Sequence, residues 1–106
     1  MIIETSVKVV MLVVIAGRKL KPELMDALSD AGGRLATIIY AKGSVRPGGR
    51  LMEAFGFVPE ENKVFIQCLM TAEHAEAALD MLTHKFHFDK PNTGIAFTIP
   101  VEGLSH

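Results

Sequence analysis

The sequence predicts a single α+β domain with the element order β-α-β-β-α-β. Three observations lead to this prediction. The chain has 106 residues, a length that suits one domain. Four short apolar runs rich in β-branched residues alternate with two segments whose apolar residues recur at helical spacing. Glycine and proline residues mark several of the boundaries between these segments, as expected where regular structure stops.

The first part of the chain indicates a strand, a helix and a second strand. Val7 to Ile15 is a β-branched run too short to span a membrane, which predicts a central strand covered on both faces. Pro22 suits the first turn of a helix, and the pair Gly32-Gly33 suits its end. The apolar face of that helix has the spacing i, i+3, i+4, i+7. It consists of Leu24, Ala27, Leu28 and Ala31. Leu35 to Lys42 then predicts the second strand.

The last part of the chain repeats the pattern. Lys63 to Met70 predicts the third strand, and Thr71 is a suitable N-cap for a second helix. The apolar face of this helix is Ala75, Ala78, Leu79 and Leu82. Residues 86–93 indicate a polar loop, and Gly94 to Ile99 predicts the last strand. The whole chain, residues 1–106, is therefore expected to form one ferredoxin-like βαββαβ sandwich, with an antiparallel four-stranded sheet and two helices on one face.

An insertion of about twenty residues, 43–62, separates the second and third strands. It contains six glycine or proline residues, and insertions of this length are usually functional or disordered. We expect the segment to be mobile without a ligand and to become ordered on binding. Its stretch from Leu51 to Phe57 is too apolar for a bare linker, so this stretch either packs on the domain or contacts a partner.

Composition excludes some functions. The formal net charge is −1, with 11 basic and 12 acidic residues, which argues against non-specific binding to nucleic acid. Cys68 is the one cysteine, and we interpret it as a buried thiol in a reducing compartment. The apolar run from Val9 to Gly17 is shorter than the roughly 20 residues of a membrane-spanning helix. We therefore expect a cytoplasmic protein without membrane insertion.

Three stretches resemble the PII signal-transduction family over about residues 8 to 102. Lys42-Gly43 ends a strand just before a long loop, Lys63 opens the strand after that loop, and Gly94 with residues 96–102 resembles the closing signature of the family. The resemblance implies a homotrimer with nucleotide clefts between its subunits, and ATP, ADP or AMP as ligand. It also implies that the long loop, the T-loop of that family, changes shape with the ligand and docks on a target. The target could be a membrane transporter or an enzyme.

The resemblance implies a role for each residue that occupies a position of a family site. Thr37 matches a residue that contacts adenine. Gly43 and Arg46 match the phosphate side of the base of the loop. Lys63 matches a lysine that reaches phosphate, and Gly94 matches a glycine of the second cleft loop.

Other residues of the loop complete the predicted sites. Lys42 can join the cations around the phosphates. Glycines in the loop free backbone N–H groups, which can also approach an anion. We assign the contact with a partner to the outer part of the loop. This part contains Arg50, Leu51, Met52 and Phe55.

The chain also departs from the family pattern. Ile95 occupies the position of a family lysine, so we expect weaker binding of a triphosphate. Pro47 falls at or near the glutamine that holds metal and 2-oxoglutarate, so we expect weak or no binding of 2-oxoglutarate. The loop is short and has no tyrosine for uridylylation.

No serine or cysteine stands in a motif with a base, so we predict neither an enzyme nor a required cofactor. His84 and His87, with Asp89, offer donors that zinc accepts, but His84 already suits the negative end of the second helix. We predict no metal site there. The alternative hypothesis is a small ferredoxin-like enzyme, or a metal-binding trimer of the divalent-cation-tolerance type that binds no nucleotide.

Overall fold

The computed structural model describes residues 8–42, 62–91 and 93–104. It contains every element that the sequence predicts, and each strand begins and ends within two residues of its predicted bounds. A short 3-10 turn, Arg18–Leu20, follows the first strand. The strands and helices are β1 Val9–Gly17, α1 Lys21–Asp30, β2 Arg34–Lys42, β3 Asn62–Thr71, α2 Ala72–Lys85 and β4 Gly94–Pro100.

The four strands form one sheet in the order β2-β3-β1-β4, and every neighbouring pair is antiparallel. This arrangement confirms the predicted ferredoxin-like fold. The register places Leu12 of β1 opposite Cys68 of β3, and Val14 opposite both Ile66 and Ala96. Because side chains alternate along a strand, these residues and their i±2 neighbours share one face of the sheet.

Both helices pack on that face. Leu24 of α1 and Leu82 of α2 are fully buried among the even-numbered residues of β1 and β3, which form the main core cluster. Cys68 belongs to this core, and burial raises the pKa of its thiol above the ordinary value. The prediction of a buried, unpaired thiol is confirmed.

The residues at the helix ends have the capping roles that the sequence predicts. The Thr71 hydroxyl accepts a hydrogen bond of 3.2 Å from the backbone N–H of His74, which satisfies one free donor of the first turn of α2. After α1, Gly32 adopts a φ of +96°, which glycine accommodates at no steric cost. A Cβ at Gly32 would lie 2.8 Å from Nδ1 of His74, so the turn after α1 lies close to the first turn of α2.

The segment after α2 is less polar than the sequence predicts. Phe86 is only 8% exposed, and its ring meets that of Phe88 edge to face with centroids 6.3 Å apart. Phe88 is half-buried and packs against the core cluster. The prediction of a polar loop over residues 86–93 was therefore wrong for these two rings, because polar neighbours in sequence concealed an apolar pair that closes the end of the core.

Leu35 shows the one unusual backbone conformation in β2. Its φ is +52°, its side chain is 79% exposed, and the register with β3 shifts between Arg34 and Thr37. A β-bulge therefore interrupts the strand here, and a left-handed conformation costs an ordinary residue roughly 1–2 kcal/mol.

We expect Leu35→Asn to stabilise the protein by about 0.5–1 kcal/mol, because asparagine tolerates this conformation and little apolar burial is lost. Urea unfolding with an unchanged m-value is the measurement. Leu104→Asn is the matched control, since Leu104 is also exposed and has no positive φ. Equal effects of the two substitutions would show that the backbone of Leu35 is not strained.

The opposite face of the sheet carries no helix in the described part of the chain. It is apolar along its centre, where Val13 of β1 is only 4% exposed. Towards the edges, Ile39 of β2 and Phe97 and Ile99 of β4 are 45%, 41% and 48% exposed. We call this surface, formed by the odd-numbered residues of the four strands, the helix-free face.

Candidate functional site

The topology brings three of the predicted site residues to one end of the sheet. At this end β1 and β2 finish while β3 and β4 begin. Lys63 of β3 is paired with Gly17 and Ala41, Lys42 with Asn62, and Gly94 with Ala16. The expectation that the strand ends holding Lys42 and Lys63 lie side by side is confirmed.

Lys63 differs from its prediction in one respect. We expected it to be exposed, but it is only 5% exposed and has an interaction partner within the chain. That expectation was wrong: Lys63 lies at the start of the inner strand β3, and its side chain is covered by the folded chain. Burial restricts a flexible side chain before a ligand arrives, which lowers the entropy cost of using it in binding.

Thr37 lies away from this end. It is exposed on the helix-free face, four residues before Ala41 along β2, which corresponds to roughly 13 Å. A single chain therefore does not place Thr37 beside Lys63. Opposite Thr37 lies Gln67, and these two residues are polar where the rest of their row is apolar. Gln67 is not among the site residues predicted from the sequence, although a lone amide within the apolar run of β3 was the available signal.

Gly94 is the first residue of β4 and is closely packed. It is buried, and a Cβ built on it would lie 2.3 Å from Cζ of Phe88. Close packing against this ring accounts for a glycine here without any ligand. The predicted contact of Gly94 with a nucleotide stays a prediction.

We expect Gly94→Ala to destabilise the protein by about 1–3 kcal/mol, because the Phe88 ring has to leave its position in the core. Chemical denaturation is the measurement. Gly103→Ala is the control, since a Cβ there meets nothing within 4 Å. In the background Phe88→Leu the cost of Gly94→Ala should fall, and an unchanged cost would mean that another contact is responsible.

The connection between β1 and α1 adds cations that the sequence analysis left unassigned. Arg18 and Lys19 line a depression of about 450 Å³ together with Gly17 and Asn62. The guanidinium carbon of Arg18 lies 4.8 Å from the centroid of the Tyr40 ring, and Nζ of Lys21 lies 5.3 Å from the same centroid. These distances fit cation–π contacts, which hold both cations beside the end of β2.

Charge is distributed unevenly along the strand direction. Seven of the nine Lys and Arg residues in the described part of the chain lie at or next to the end where β3 and β4 begin, with Glu23 and Asp89 as the acidic residues nearby. We call this end the basic end. Its cations are Arg18, Lys19, Lys21, Lys42, Lys63, Lys85 and Lys90. A surface of one charge sign attracts ligands of the other and accelerates their binding.

A comparison with models of protein families shows the family of this chain. The family model described as nitrogen regulatory protein P-II matches residues 9–105, which is nearly the whole chain. The chain belongs to the P-II family. The family is one of regulatory signalling proteins, in agreement with the resemblance noted in the sequence. A search of curated protein sequences found no match to this chain.

Solved structures of P-II-like proteins share the fold. A PII-like signaling protein of Thermus thermophilus has a TM-score of 0.66 at 20% identity, with 90% of this chain and 88% of that chain covered. CPII of Thiomonas intermedia, bound to ADP, AMP and acetate, has a TM-score of 0.64 at 21% identity, with 91% and 90% covered. The same Thiomonas protein bound to ADP, AMP and bicarbonate has a TM-score of 0.65 at 17% identity, with 89% and 90% covered.

Several predicted residues of the P-II loop lie outside the described residues. They are Gly43, Arg46, Pro47, Arg50, Leu51, Met52 and Phe55. Their assignments stay predictions, as does the weak binding of 2-oxoglutarate. Ile95 is described, and it lies half-buried on the helix-free face opposite Ile15.

The histidines near the end of α2 make other contacts. Nδ1 of His84 lies 2.9 Å from the backbone oxygen of Asp80 and 3.3 Å from its Oδ1. His87 has a φ of +61°, and its carbonyl accepts a hydrogen bond of 2.7 Å from the Thr93 hydroxyl. Across residues 8–42, 62–91 and 93–104, no three His, Cys, Asp or Glu residues are grouped so that they could hold a metal ion.

No helix in the described ranges is both long enough and apolar enough to pass through a membrane.

Proposed function

We propose that this P-II family protein is a cytoplasmic sensor of an adenine nucleotide, and that it regulates a target protein through residues 43–62. The observation that carries the proposal is the convergence of Lys42, Lys63 and Gly94 at the basic end, in a chain that matches the P-II model over residues 9–105. The solved Thiomonas structures add support, since ADP and AMP are bound to that protein.

The phosphates of the nucleotide are assigned to the basic end. Lys63 supplies an ammonium group as a point charge at the start of β3, and Lys42 lies beside it in register with Asn62. Gly43 and Arg46 follow directly in the chain, and a guanidinium can bind phosphate through two parallel hydrogen bonds. Ile95 provides no charge, so a diphosphate or monophosphate should bind about as well as a triphosphate.

The base of the nucleotide is assigned to the cleft between subunits of a homotrimer. Thr37 and Gln67 form a polar pair in a row of the helix-free face that is otherwise apolar, roughly 13 Å from the basic end of their own chain. Two subunits joined through this face can bring the polar pair of one chain to the basic end of the next. Burial of the exposed Ile39, Phe97 and Ile99 stabilises such an assembly by about 25 cal/mol per Å² of apolar surface.

Regulation, and not catalysis, is the proposed outcome of binding. The outer part of the loop, with Arg50, Leu51, Met52 and Phe55, is assigned to the target, which is an enzyme or a membrane transporter. An apolar cluster with one cation can serve as an anchor at a protein interface. The protein itself requires no cofactor and does not insert into a membrane under this proposal.

Thermal-shift measurements with AMP, ADP and ATP test the nucleotide proposal. A ligand that binds only the folded state stabilises it by about 2.7 kcal/mol at a hundredfold excess over Kd, so the midpoint should rise by several degrees. Divalent cations without nucleotide form the control arm. A rise with metal alone and none with any nucleotide would favour the metal-binding alternative.

Hydrogen exchange tests the role of residues 43–62. Exchange in this segment should slow when the nucleotide is added, while exchange at Arg34, at the other end of β2, should change little. Equal exchange in the segment with and without a bound nucleotide would argue against regulation through this loop.

A further inference from the structure

A groove of about 400 Å³ lies on the helix side of the sheet, between the first two turns of α2 and the strands β1 and β4. Its volume falls within the range of ligand sites, roughly 300–1,000 Å³. The lining combines apolar residues with two carboxylates and one hydroxyl group. We call it the acidic groove, and it is lined by Val10, Ala72, Glu73, Ala75, Glu76, Leu79 and Thr98.

The apolar part of the acidic groove is uncovered because β4 carries small residues on this side of the sheet. Ala96 and Thr98 face the helices, since the register places them opposite core residues of β1. Val10 and Leu79 pack against the core cluster, yet each remains only half-buried. A bound aliphatic side chain would remove the remaining apolar surface of these two residues from water, which favours binding.

The two carboxylates of the groove lie one helical turn apart on α2. Glu73 and Glu76 are exposed, and no Lys, Arg or His of residues 8–42, 62–91 and 93–104 lies within ion-pair distance of either. Glu73 belongs to the first turn of α2, where a negative charge stabilises the helix. That effect falls off beyond the first turn, so it does not account for Glu76, and two like charges at this spacing repel each other. A ligand cation between the two carboxylates would relieve the repulsion.

The acidic surface extends beyond the groove along both helices. Lys21 and Lys85 are the only lysine or arginine residues within α1 and α2, and both lie at the basic end. Six of the eight acidic residues in the described part of the chain lie on these helices, and all six are exposed. They are Glu23, Asp26, Asp30, Glu73, Glu76 and Asp80. A surface of this kind favours a ligand with several cations over one with a single amine.

From these observations we infer that the acidic groove is a docking site for a segment of a partner protein in which an aliphatic side chain is flanked by lysine or arginine residues. The aliphatic side chain covers Val10 and Leu79, and the flanking cations pair with Glu73 and Glu76. An apolar anchor surrounded by charge-complementary contacts provides both affinity and specificity. The groove lies on the opposite side of the sheet from the helix-free face, so subunits joined through that face leave it accessible. The inference goes beyond the proposed function and does not depend on nucleotide binding.

NMR titration of the full chain with synthetic peptides tests the docking site. The probe is the pentapeptide Lys-Arg-Leu-Arg-Lys with both ends blocked. One comparison peptide has Gly in place of Leu, a second has Glu in place of every cation, and spermidine serves as a free amine. We expect the probe to shift the amide signals of residues 72–79 and of Thr98. The Gly peptide should bind at least about tenfold more weakly, because it lacks the apolar anchor.

Variants of the two carboxylates test the charge contacts. Glu73→Gln/Glu76→Gln should weaken binding of the probe by about tenfold, since an exposed ion pair changes affinity by up to about fivefold. The matched control Glu23→Gln/Asp26→Asn removes two charges from exposed positions of α1, one of them also in the first turn of its helix. The control should weaken binding by less than about twofold, because salt screens charges that do not contact the ligand.

Two variants of Thr98 test the shape of the groove without changing its charge. Thr98→Phe places a ring over the apolar lining and should weaken binding of the probe by at least about tenfold. Thr98→Val keeps a side chain of similar size and should bind the probe within about twofold of the wild-type affinity. Because Thr98 is exposed, both variants should fold, and their thermal midpoints check this.

Four other results would overturn the inference. Equal losses in the carboxylate variant and its control would show general charge attraction without a docking site. Binding of the Gly peptide or of spermidine as tight as that of the probe would show that no apolar anchor is used. Absence of signal shifts at residues 72–79 would place the contact elsewhere. Self-association of the wild-type protein that Thr98→Phe abolishes would show that the groove holds a second copy of the chain instead of a partner.

Discussion

Phe97→Asp should convert the proposed trimer into folded monomers. Phe97 lies at the centre of β4 on the helix-free face, opposite Val13, and 41% of it is exposed in the single chain. An aspartate at this position is tolerated in the monomer because water reaches it. In an assembly it would bury one charge per subunit, and each buried charge costs several kcal/mol. We therefore expect the dissociation constant to rise by on the order of a thousandfold or more.

Light scattering at micromolar concentration measures this effect, and circular dichroism checks that the fold is retained. Leu104→Asp is the matched control, because Leu104 is 44% exposed but lies in the C-terminal segment after β4. Phe97→Leu should stay trimeric, since it keeps the face apolar. A wild-type monomer, or a trimer of Phe97→Asp, would show that the helix-free face is not the subunit interface. Loss of nucleotide binding in the monomer would add support for a cleft between subunits.

Lys63→Met should weaken nucleotide binding by about ten- to a hundredfold. Methionine keeps an apolar stem of similar length at this buried position, but it removes the ammonium group from the proposed phosphate site. A hydrogen bond to a charged group contributes about 1.5–3 kcal/mol, and 1.4 kcal/mol corresponds to one decade of affinity. The loss should be larger for ADP than for adenosine, which has no phosphate.

The measurement is calorimetric titration with ADP, together with the unfolding midpoint of each variant. Because Lys63 is buried and has a partner in the chain, Lys63→Met is also expected to lower stability, so binding is measured well below its midpoint. Lys8→Met is the control for the loss of one positive charge, since Lys8 is exposed at the opposite end of β1. If folded Lys63→Met binds ADP with wild-type affinity, the phosphates lie elsewhere.

Individual residues show which features of the structure can be predicted from local sequence patterns. The fold was predictable because its signals are local: the β-branched run of β1, the i, i+3, i+4 spacing around Leu24, and the cap at Thr71 all act within a few residues. That the strand ends holding Lys42 and Lys63 lie side by side followed from the order of the strands. For the same reason, the resemblance to the P-II family was recognisable from short stretches at the strand ends.

The burial of single side chains and the contacts between distant residues were harder to predict from the sequence. Lys63 is predicted at the surface, because a lysine at the start of a strand gives no local sign that the folded chain will cover its side chain. The sequence predicts Phe86 and Phe88 in a polar loop, because their packing depends on the contact between the end of α2 and the start of β4. Gln67 became noticeable only when the register placed it opposite Thr37.

By itself, the sequence determined the order and type of the elements, the family, and the strand ends from which a phosphate site could be built. The tertiary structure alone decided which cations share a surface. Arg18 and Lys21 meet the ring of Tyr40, and Gly17 faces open space beside Asn62, through pairings between residues about twenty to forty-five positions apart in the chain. The physical reason is that spacing along one element follows from the backbone geometry of that element. Contact between distant segments depends instead on sheet register and core packing, which form only when the whole chain folds.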